Sequence, residues 1–333
     1  MYYIGIDPAA ESFTAAIIKD GKASGKPTTF DNTSEGIHAF LGWITKTGCK
    51  RQTSWICVEN TGVYSELLLY ELSRTPWPLA LLEPVKIHPK KQRPKTDEID
   101  SLKIAEYAWR YQDKLTVWKP HEAIFEQVKV LLSTREQIVK QRTALSNTRT
   151  SLKRKYIQTP TANDVVDSLV DQLSLKIKEL EAEIRRLIQA HPTLAQTIAT
   201  VMTAPGVGLL LAANLLVITK GFTEQISYQK LARHLGIAPL PFVSGTSVKY
   251  PDRSRGKGPK ITRKSLHLAA RSMVTHKQEF KHYYARKLAE GKPKKLVLNN
   301  VSNRLLRIVC SMLKNNKPYI DGYVSVNPRL ISS

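Results

Sequence analysis

Tyr2-Tyr3-Ile4-Gly5-Ile6-Asp7 is an apolar run that ends on a carboxylate, and its reading decides the fold of the first third of the chain. A run this short and apolar suits a buried strand. Phe13 to Ile18 is a second strand that ends in Lys19-Asp20-Gly21, a tight-turn signal. Thr28 to Phe30 reads as a third strand, antiparallel to the second. Asn32-Thr33-Ser34 offers an N-cap to a helix carrying Ile37, Phe40, Leu41 and Ile44. Trp55 to Val58 is a fourth strand, followed by Glu59-Asn60-Thr61-Gly62. A helix with Tyr64, Leu67, Leu68 and Leu72 on one face comes next, then a short buried strand, Leu79 to Leu82. Pro84 to Lys95 is basic and Pro-containing, hence a loop. From Glu98 to about Tyr111 the spacing of Ile99, Leu102, Ile104, Ala105 and Ala108 is helical. Strands in hairpins, then strands alternating with helices, indicate an α/β domain with a mixed sheet.

Beyond this domain the pattern is helical. Leu131, Ile138, Leu145 and Leu152 recur every seven residues, but the matching half-heptad places hold Val128, Arg135, Arg142 and Arg149. After Thr159-Pro160 the heptads improve, with Val166, Leu173, Leu180 and Leu187 at one position and Val170, Ile177 and Ile184 at the other. These two coiled-coil helices pair with each other or with those of another subunit. Pro205-Gly206-Val207-Gly208 lies between apolar helices and resembles a helix-hairpin-helix turn. Its backbone N–H groups can face a phosphate, or it is a plain helix-helix turn. Further helices are expected at roughly 226–235, 262–290 and 296–313 (the last with Val297, Val301, Leu305, Ile308 and Met312 as its stripe), and a partly mobile tail beyond Pro318. The expected division is an α/β domain over 1–116, a coiled-coil segment over 117–192 and a mainly helical domain over 193–333.

Charge follows this division. The 333 residues carry 51 Lys and Arg against 28 Asp and Glu, a net +23. Residues 1–112 hold 14 basic against 13 acidic side chains, so almost all of the excess lies later; residues 244–295 alone hold 15 against three. A near-neutral module joined to a strongly basic one points to a polyanion partner. A membrane is not expected, because the longest near-apolar run, Val207 to Ile218, is short of the roughly 20 residues a span needs. No export signal is visible at the start of the chain. The three cysteines, Cys49, Cys57 and Cys310, form neither a metal spacing nor a disulfide framework. A cytoplasmic protein acting at the nucleoid is expected.

The acids of the first domain carry its chemistry. Asp7 and Glu59 end buried strands, where loops converge at the rim of a sheet. Asp97 and Asp100 share one face of the helix start, with Glu98 turned away. Brought together, four carboxylates repel unless cations lie between them, and oxygen ligands without His or Cys suit Mg²⁺ or Mn²⁺. Such ions can assist both the entering and the leaving oxygen at a phosphodiester. Taken singly, Asp97 can be a helix cap, and Asp7 and Glu59 solvated strand ends.

Tyr-Ile-Gly-Ile-Asp7, Glu59-Asn-Thr-Gly-Val-Tyr and Lys-Thr-Asp97-Glu-Ile-Asp100 resemble a RuvC-type, ribonuclease-H-fold nuclease centre, in the form found in DEDD-type insertion-sequence transposases related to the Piv DNA invertase. The resemblance continues through the coiled coil, Ala204-Pro-Gly-Val-Gly208, Leu235-Gly-Ile-Ala-Pro239 and Ser244-Gly-Thr-Ser-Val248, nearly the whole chain. It implies a RuvC-like domain followed by a serine transposase domain. It implies an RNA-guided recombinase that cuts and rejoins donor and target DNA through a phosphoserine, with divalent-metal help from Asp7, Glu59, Asp97 and Asp100. Ser244 is the nucleophile in this reading, ahead of Thr246 and Ser247. A polar residue often precedes that serine; here Phe242-Val243 leaves its local base open. The implied partners are double-stranded DNA, a structured noncoding bridge RNA, and further copies of the chain, dimers pairing into a tetramer.

Nucleic-acid contacts are expected from Lys90, Lys91 and Arg93 in the first domain, from Arg149, Lys153 and Arg154 on the coiled coil, from Gly206 and Gly208, and from Lys249, Arg253, Arg255, Lys257, Lys260 and Arg263, which follow Ser244 in a loop loosened by Gly256 and Gly258. Two other functions compete. A junction nuclease would use the carboxylates alone and form no covalent adduct; a nucleic-acid-binding protein with a degenerate fold would do no chemistry.

Overall fold

A computed structural model describes residues 1–84, 96–120, 122–222, 227–244, 248–254, 256 and 258–322, with residues 240–244 and 248–253 described by their backbone. The chain forms two compact units, Met1–Pro120 and His121–Ser333.

The first unit is built around β1 (Tyr2–Pro8). It pairs antiparallel with β2 (Ser12–Lys19), from Tyr2↔Lys19 to Pro8↔Phe13. The link beyond β2 turns at Asp20 and Gly21, both at positive φ (50° and 84°), as the Asp-Gly pair predicts. Two short strands, β3 (Lys22–Ala23) and β4 (Thr28–Asp31), both pair with β2. Because of β3, which the sequence did not suggest, the strand ending in Glu59 is the fifth. That strand, β5 (Ser54–Glu59), lies parallel to β1, and β6 (Leu79–Leu82) lies parallel to β5. The order is β3-β2-β1-β5-β6, the mixed sheet expected.

Each face of the sheet is covered. Helix α1 (Ser34–Lys46), capped by Thr33, and α2 (Val63–Ser73) bury Ile37, Phe40, Ile44, Leu68 and Leu72 against Ile4, Ile6, Phe13 and Val58. Tyr64 and Leu67, assigned to the buried face of α2, are instead exposed, and Ser65 and Leu69 are buried. Leu67, Leu68 and Leu69 are consecutive, so periodicity could not fix the stripe. The other face takes α3 (Asp97–Arg110), whose Ile104 and Ala108 pack with Tyr3, Cys57, Ala80 and Leu82.

The second unit starts with α4 (Ala123–Leu152) and α5 (Pro160–Gln189), each 30 residues and about 45 Å long. They pair with each other, with ion pairs from Arg135 to Glu181 at 2.6 Å and from Arg149 to Asp167 at 3.5 Å. Val170, Ile177 and Ile184 are buried as the heptads predict, whereas on α4 the buried residues are Ile124, Phe125, Val128, Leu132 and Glu136. The base of this hairpin is part of a larger core, which explains why the heptad stripe Leu131–Leu152 is not the buried one. Ile124, Val128, Ile184 and Ile188 join residues of α6 (Pro192–Met202), α7 (Leu209–Ile218), α8 (Tyr228–His234), α9 (Lys260–His276), α10 (Gln278–Ala289) and α11 (Lys294–Asn315) there. The helix expected over 262–290 is thus two helices, parted at Lys277, where the backbone is extended.

The unit also holds a β-hairpin that the helical reading missed, β7 (Pro239–Ser244) with β8 (Val248–Ser254). The start of the tail is tied down. The Tyr319 amide donates to the Thr203 hydroxyl at 2.8 Å, and Lys277 meets Asp321 at 2.6 Å, which raises the Lys277 pKa and lowers that of Asp321. Residues 323–333, the rest of the tail expected to be mobile, lie outside the described residues.

Candidate active site

Gly5 fixes where the carboxylates meet. A Cβ there would lie 2.3 Å from both the Ala105 nitrogen and the Ser101 oxygen, so α3 rides directly on β1 and only glycine fits. Ser101 and Ala105 sit over Gly5, and Ile104 and Ala108 pack with Tyr3 further back along the strand. The start of α3 therefore points along β1 toward Asp7. Side chains alternate along a strand, so Asp7 shares the α3 face with Tyr3 and Gly5, and Glu59 shares it with Cys57. Ile6 is in register with Val58, which makes Asp7 and Glu59 the next neighbours, on strands roughly 4.8 Å apart.

Three elements thus bring Asp7, Glu59 and the Asp97–Asp100 turn to one end of the sheet, on one face. Asp7 is half-buried, Glu59 and Asp100 are buried, and Asp97 is exposed. Asp97 does not cap its helix: the cap is Thr96, whose hydroxyl accepts from the Ile99 amide. Asp97, Glu98 and Asp100 nonetheless gain from the positive end of α3. Asp100 is met by the Lys103 ammonium at 2.9 Å. Among the described residues no three His, Cys, Asp or Glu side chains stand close enough to hold a metal ion together. The four side chains are oxygen donors, the ligand type that suits a hard divalent ion.

Ser244 is not in a loop. It is the last residue of β7 and pairs with Val248 across a link, Gly245–Ser247, that lies outside the described residues. Lys249 and Arg253 are likewise on β8, and Lys260 and Arg263 are on α9, so none of these four lies in the loop expected after Ser244. Phe242-Val243-Ser244 and Val248-Lys249-Tyr250 around a Gly-containing three-residue link were a hairpin signal; Pro241 and Pro251 hid it, because proline argues against a strand. The register slips between Leu240 and Phe242, where Pro241 donates nothing. The base of the hairpin is held twice. The amides of Asn299 and Asn303 both donate to the Ile237 oxygen at 3.0 Å. A Cβ on Gly258 would lie 2.3 Å from the His234 oxygen, so the chain leaving β8 passes close against the end of α8.

The expected nucleic-acid contacts divide. Lys90, Lys91, Arg93, Arg255 and Lys257 lie outside the described residues. Lys153, Arg154 and Lys260 are exposed, whereas Arg149 is paired with Asp167 and Arg263 donates to the Gly258 oxygen at 3.2 Å. Gly206, at φ 76°, has a packing reason as well: a Cβ there would lie 2.7 Å from the Ala269 oxygen. With Gly208, Arg185 and Ser265 it lines a cleft of about 430 Å³ at the start of α7, which has no side-chain cap. Among the described residues no helix is long and apolar enough to cross a membrane.

Comparison with known proteins bears on both units. Residues 4–156 match a family model described as transposase, of the DEDD type of IS110, and residues 198–285 match one described as transposase IS116/IS110/IS902 family. The pilin gene-inverting proteins of Moraxella lacunata and Moraxella bovis are each 27% identical over 326 residues, covering 95% of this chain and 97% of theirs. A 43.6 kDa protein of insertion element IS110 from Streptomyces coelicolor is 31% identical over 165 residues, 48% of this chain and 39% of that one. A T. thermophilus RuvC solved in complex with a Holliday junction substrate is similar over 34% of this chain and 95% of that one, at 14% identity and a TM-score of 0.26. Two transposase models of the IS110 type thus match this chain, over residues 4–156 and 198–285, and likeness to gene-inverting proteins over nearly its whole length supports a DNA recombinase or transposase enzyme.

Proposed function

We propose that this transposase is the RNA-guided recombinase of an insertion sequence, with Ser244 as its nucleophile and Asp7, Glu59, Asp97 and Asp100 as its metal ligands. The observation that supports the reading is the placement of the strand ends of Asp7 and Glu59 and the start of α3 at one end of the sheet, with α3 seated on Gly5. Gene inversion, which the Moraxella relatives are named for, needs strands that are cut and then rejoined. Hydrolysis discards the energy of the broken phosphodiester, whereas a covalent link to the protein keeps it.

In this mechanism the Ser244 hydroxyl attacks a DNA phosphorus. A serine–phosphate bond forms, the bond to the deoxyribose oxygen breaks, and that oxygen leaves with a proton. The leaving oxygen of the partner strand then attacks the phosphoserine, which restores the hydroxyl. Asp7 and Glu59, on rigid strand ends, hold the ligand geometry, and Asp97 and Asp100 add charge from the first turn of α3. A divalent cation bound there supplies positive charge to the phosphate oxygens. The two strands of the hairpin set the position of Ser244, and the Asn299 and Asn303 amides anchor its base. The exposed Lys153, Arg154 and Lys260 bind phosphates without reading sequence, and sequence choice falls to a structured bridge RNA. Dimers pairing into a tetramer provide the two cuts that strand exchange needs. The protein would work in the cytoplasm, at the nucleoid.

The test is incubation with donor and target DNA and Mg²⁺, with and without the co-purified RNA, scored for covalent protein–DNA adduct. An adduct that maps to Ser244 and needs the RNA is expected. Cleavage without any adduct would replace this reading with that of a junction nuclease, and full recombination by RNA-free protein would remove the guide.

A further inference from the structure

The turn that closes the α4–α5 hairpin reads Lys153-Arg154-Lys155-Tyr156-Ile157-Gln158-Thr159. It lies at the far end of the hairpin from the core, roughly 36 Å along α4 from Val128. Its backbone is set: the Lys153, Arg154 and Lys155 amides donate to the oxygens of Arg149, Ser151 and Leu152, and Pro160 starts α5. Yet it holds none of the Gly, Pro, Asn, Asp or Ser that turns usually take, so turn formation does not account for its residues. All seven are exposed, Tyr156 fully and Ile157 by 79%, side by side with the three cations. From Gln137 to Val166 the chain holds six cations against one acid, Asp164. Arg149 pairs with Asp167, and among the described residues no carboxylate meets Lys153, Arg154 or Lys155.

We propose that this tip grips an unpaired stretch of a structured RNA, with Tyr156 stacked on a base and Lys153, Arg154 and Lys155 on the phosphates beside it. Charge decides the class of partner. A second copy of this chain, at net +23, would bring more cations toward the tip, whereas a polyanion neutralises them. The ring decides the form of the partner. In a duplex each base already lies between its neighbours and offers no face to an exposed ring. A loop or bulge of RNA displays its bases, and aromatic side chains take them by their faces. Ile157, next to the ring, gives the sugar or the base edge an apolar contact. Two paired helices carry the tip clear of the core, so it reaches a loop that lies away from the body of the unit. The inference rests on the RNA-partner reading above and adds which feature of the RNA is held, and by which side chain.

The experiment measures binding by fluorescence to the full-length protein freed of RNA. The probes are an RNA stem-loop with 2-aminopurine in its loop, an RNA duplex, single-stranded DNA of the loop sequence, and a DNA duplex. Tyr156→Ala should weaken stem-loop binding about tenfold and abolish the quenching of 2-aminopurine that stacking causes, while both duplexes bind as before. Tyr156→Trp should keep affinity and quenching. The side chain is exposed, so both variants should melt as the parent does. Replacing Lys153, Arg154 and Lys155 together by Gln should instead reduce the slope of log affinity against log salt by about two, as loss of three single-strand phosphate contacts requires. Tyr156→Ala should leave that slope unchanged. Unchanged affinity and quenching in Tyr156→Ala, or equal weakening on stem-loop and duplexes, overturns the stacking. Single-stranded DNA held as tightly as the stem-loop would make DNA the occupant. Loss of self-association in Tyr156→Ala, with RNA binding intact, would make it another copy of the chain. A parent that binds neither RNA probe would remove the RNA from both readings. No readout here involves DNA cleavage, so a failure of Ser244 as nucleophile leaves the result standing.

Discussion

The two units place chemical groups by different rules. In the first, Asp7 and Glu59 lie at the ends of strands whose other residues are mostly buried, and the alternation of β1 and β5 decides which face each carboxylate takes. In the second, cations are abundant but many already have partners. Arg135 meets Glu181, Arg149 meets Asp167, Lys264 meets Glu136, Lys277 meets Asp321 and Arg304 meets Glu279. A carboxylate at the end of a buried strand is informative because burial leaves so few places for a charge. A cation on a helix surface is weakly informative, because most cations sit there and exposed pairs contribute little. The first unit is thus read residue by residue, and the second only by its sum.

The largest effects should come from chemistry, and they separate the units by the step that is lost. Asp7→Asn, Glu59→Gln, Asp97→Asn and Asp100→Asn should each lower strand cleavage by at least roughly 10²–10³-fold, as loss of a group that stabilises charge in a transition state does. Ser244→Ala should abolish adduct and strand exchange while changing stability by less than about 0.5 kcal/mol, with Ser247→Ala and Thr246→Val milder. Quantifying adduct and recombinant product on gels checks both sets. Near-normal cleavage in two of the carboxylate variants, or recombination by Ser244→Ala, would break the assignment.

Mixing Asp7→Asn protein with Ser244→Ala protein sharpens the comparison. If the carboxylates of one chain can serve the serine of another, the mixture should recover up to roughly a quarter of parental recombination by random pairing, although neither variant works alone. Activity that stays at background would confine both groups to one chain.

Packing effects come next. Gly5→Ala drives a methyl into the backbone of α3 and should cost about 3 kcal/mol or more, with loss of cleavage, because the start of α3 shifts away from β1. Gly206→Ala meets the Ala269 oxygen and also strains a positive φ. It should cost a similar amount while leaving Mn²⁺ binding by the first unit intact. Thermal melts paired with Mn²⁺ titration separate the two; equal loss of metal binding in both variants would break the division between units.

How much was legible follows the same division. The sequence of strands and helices along the first unit apart from β3, the mixed sheet, the Asp-Gly turn and a helix cap within Asn32–Ser34 could be read from apolar runs and their ends. The buried face of α2 could not, because three consecutive leucines satisfy several faces at once. The Leu131–Leu152 stripe misled, because a heptad says that a helix has an apolar side and not which core receives it. The Ser244 hairpin stayed hidden behind Pro241 and Pro251. Each removes a ladder donor, a cost that an isolated two-stranded ribbon absorbs by pairing irregularly, as between Leu240 and Phe242.

The smallest effect is on pH dependence, and here the units should differ in degree. Burial pushes the Cys49 thiol up to about 11 against the opposing hydrogen bond from Ser54, pushes the Cys310 thiol up to about 11, and raises the Cys57 thiol as well. Folding holds these acids neutral. Their contribution to stability is complete below the unfolded thiol value near 8.5 and is lost as pH climbs through the folded values. Between about pH 8.5 and 11 the thermal midpoint should therefore fall. Cys49 and Cys57 lie in the first unit and Cys310 in the second, so Cys49→Ser with Cys57→Ala should flatten that slope more than Cys310→Ala does. Iodoacetamide at pH 8 should label the folded protein roughly a hundredfold more slowly than the unfolded one, since the thiolate is the reactive form. Calorimetric scans across the range give the slopes. A midpoint that rises with pH, or one whose slope none of the cysteine substitutions changes, would show that the thiols do not govern alkaline stability.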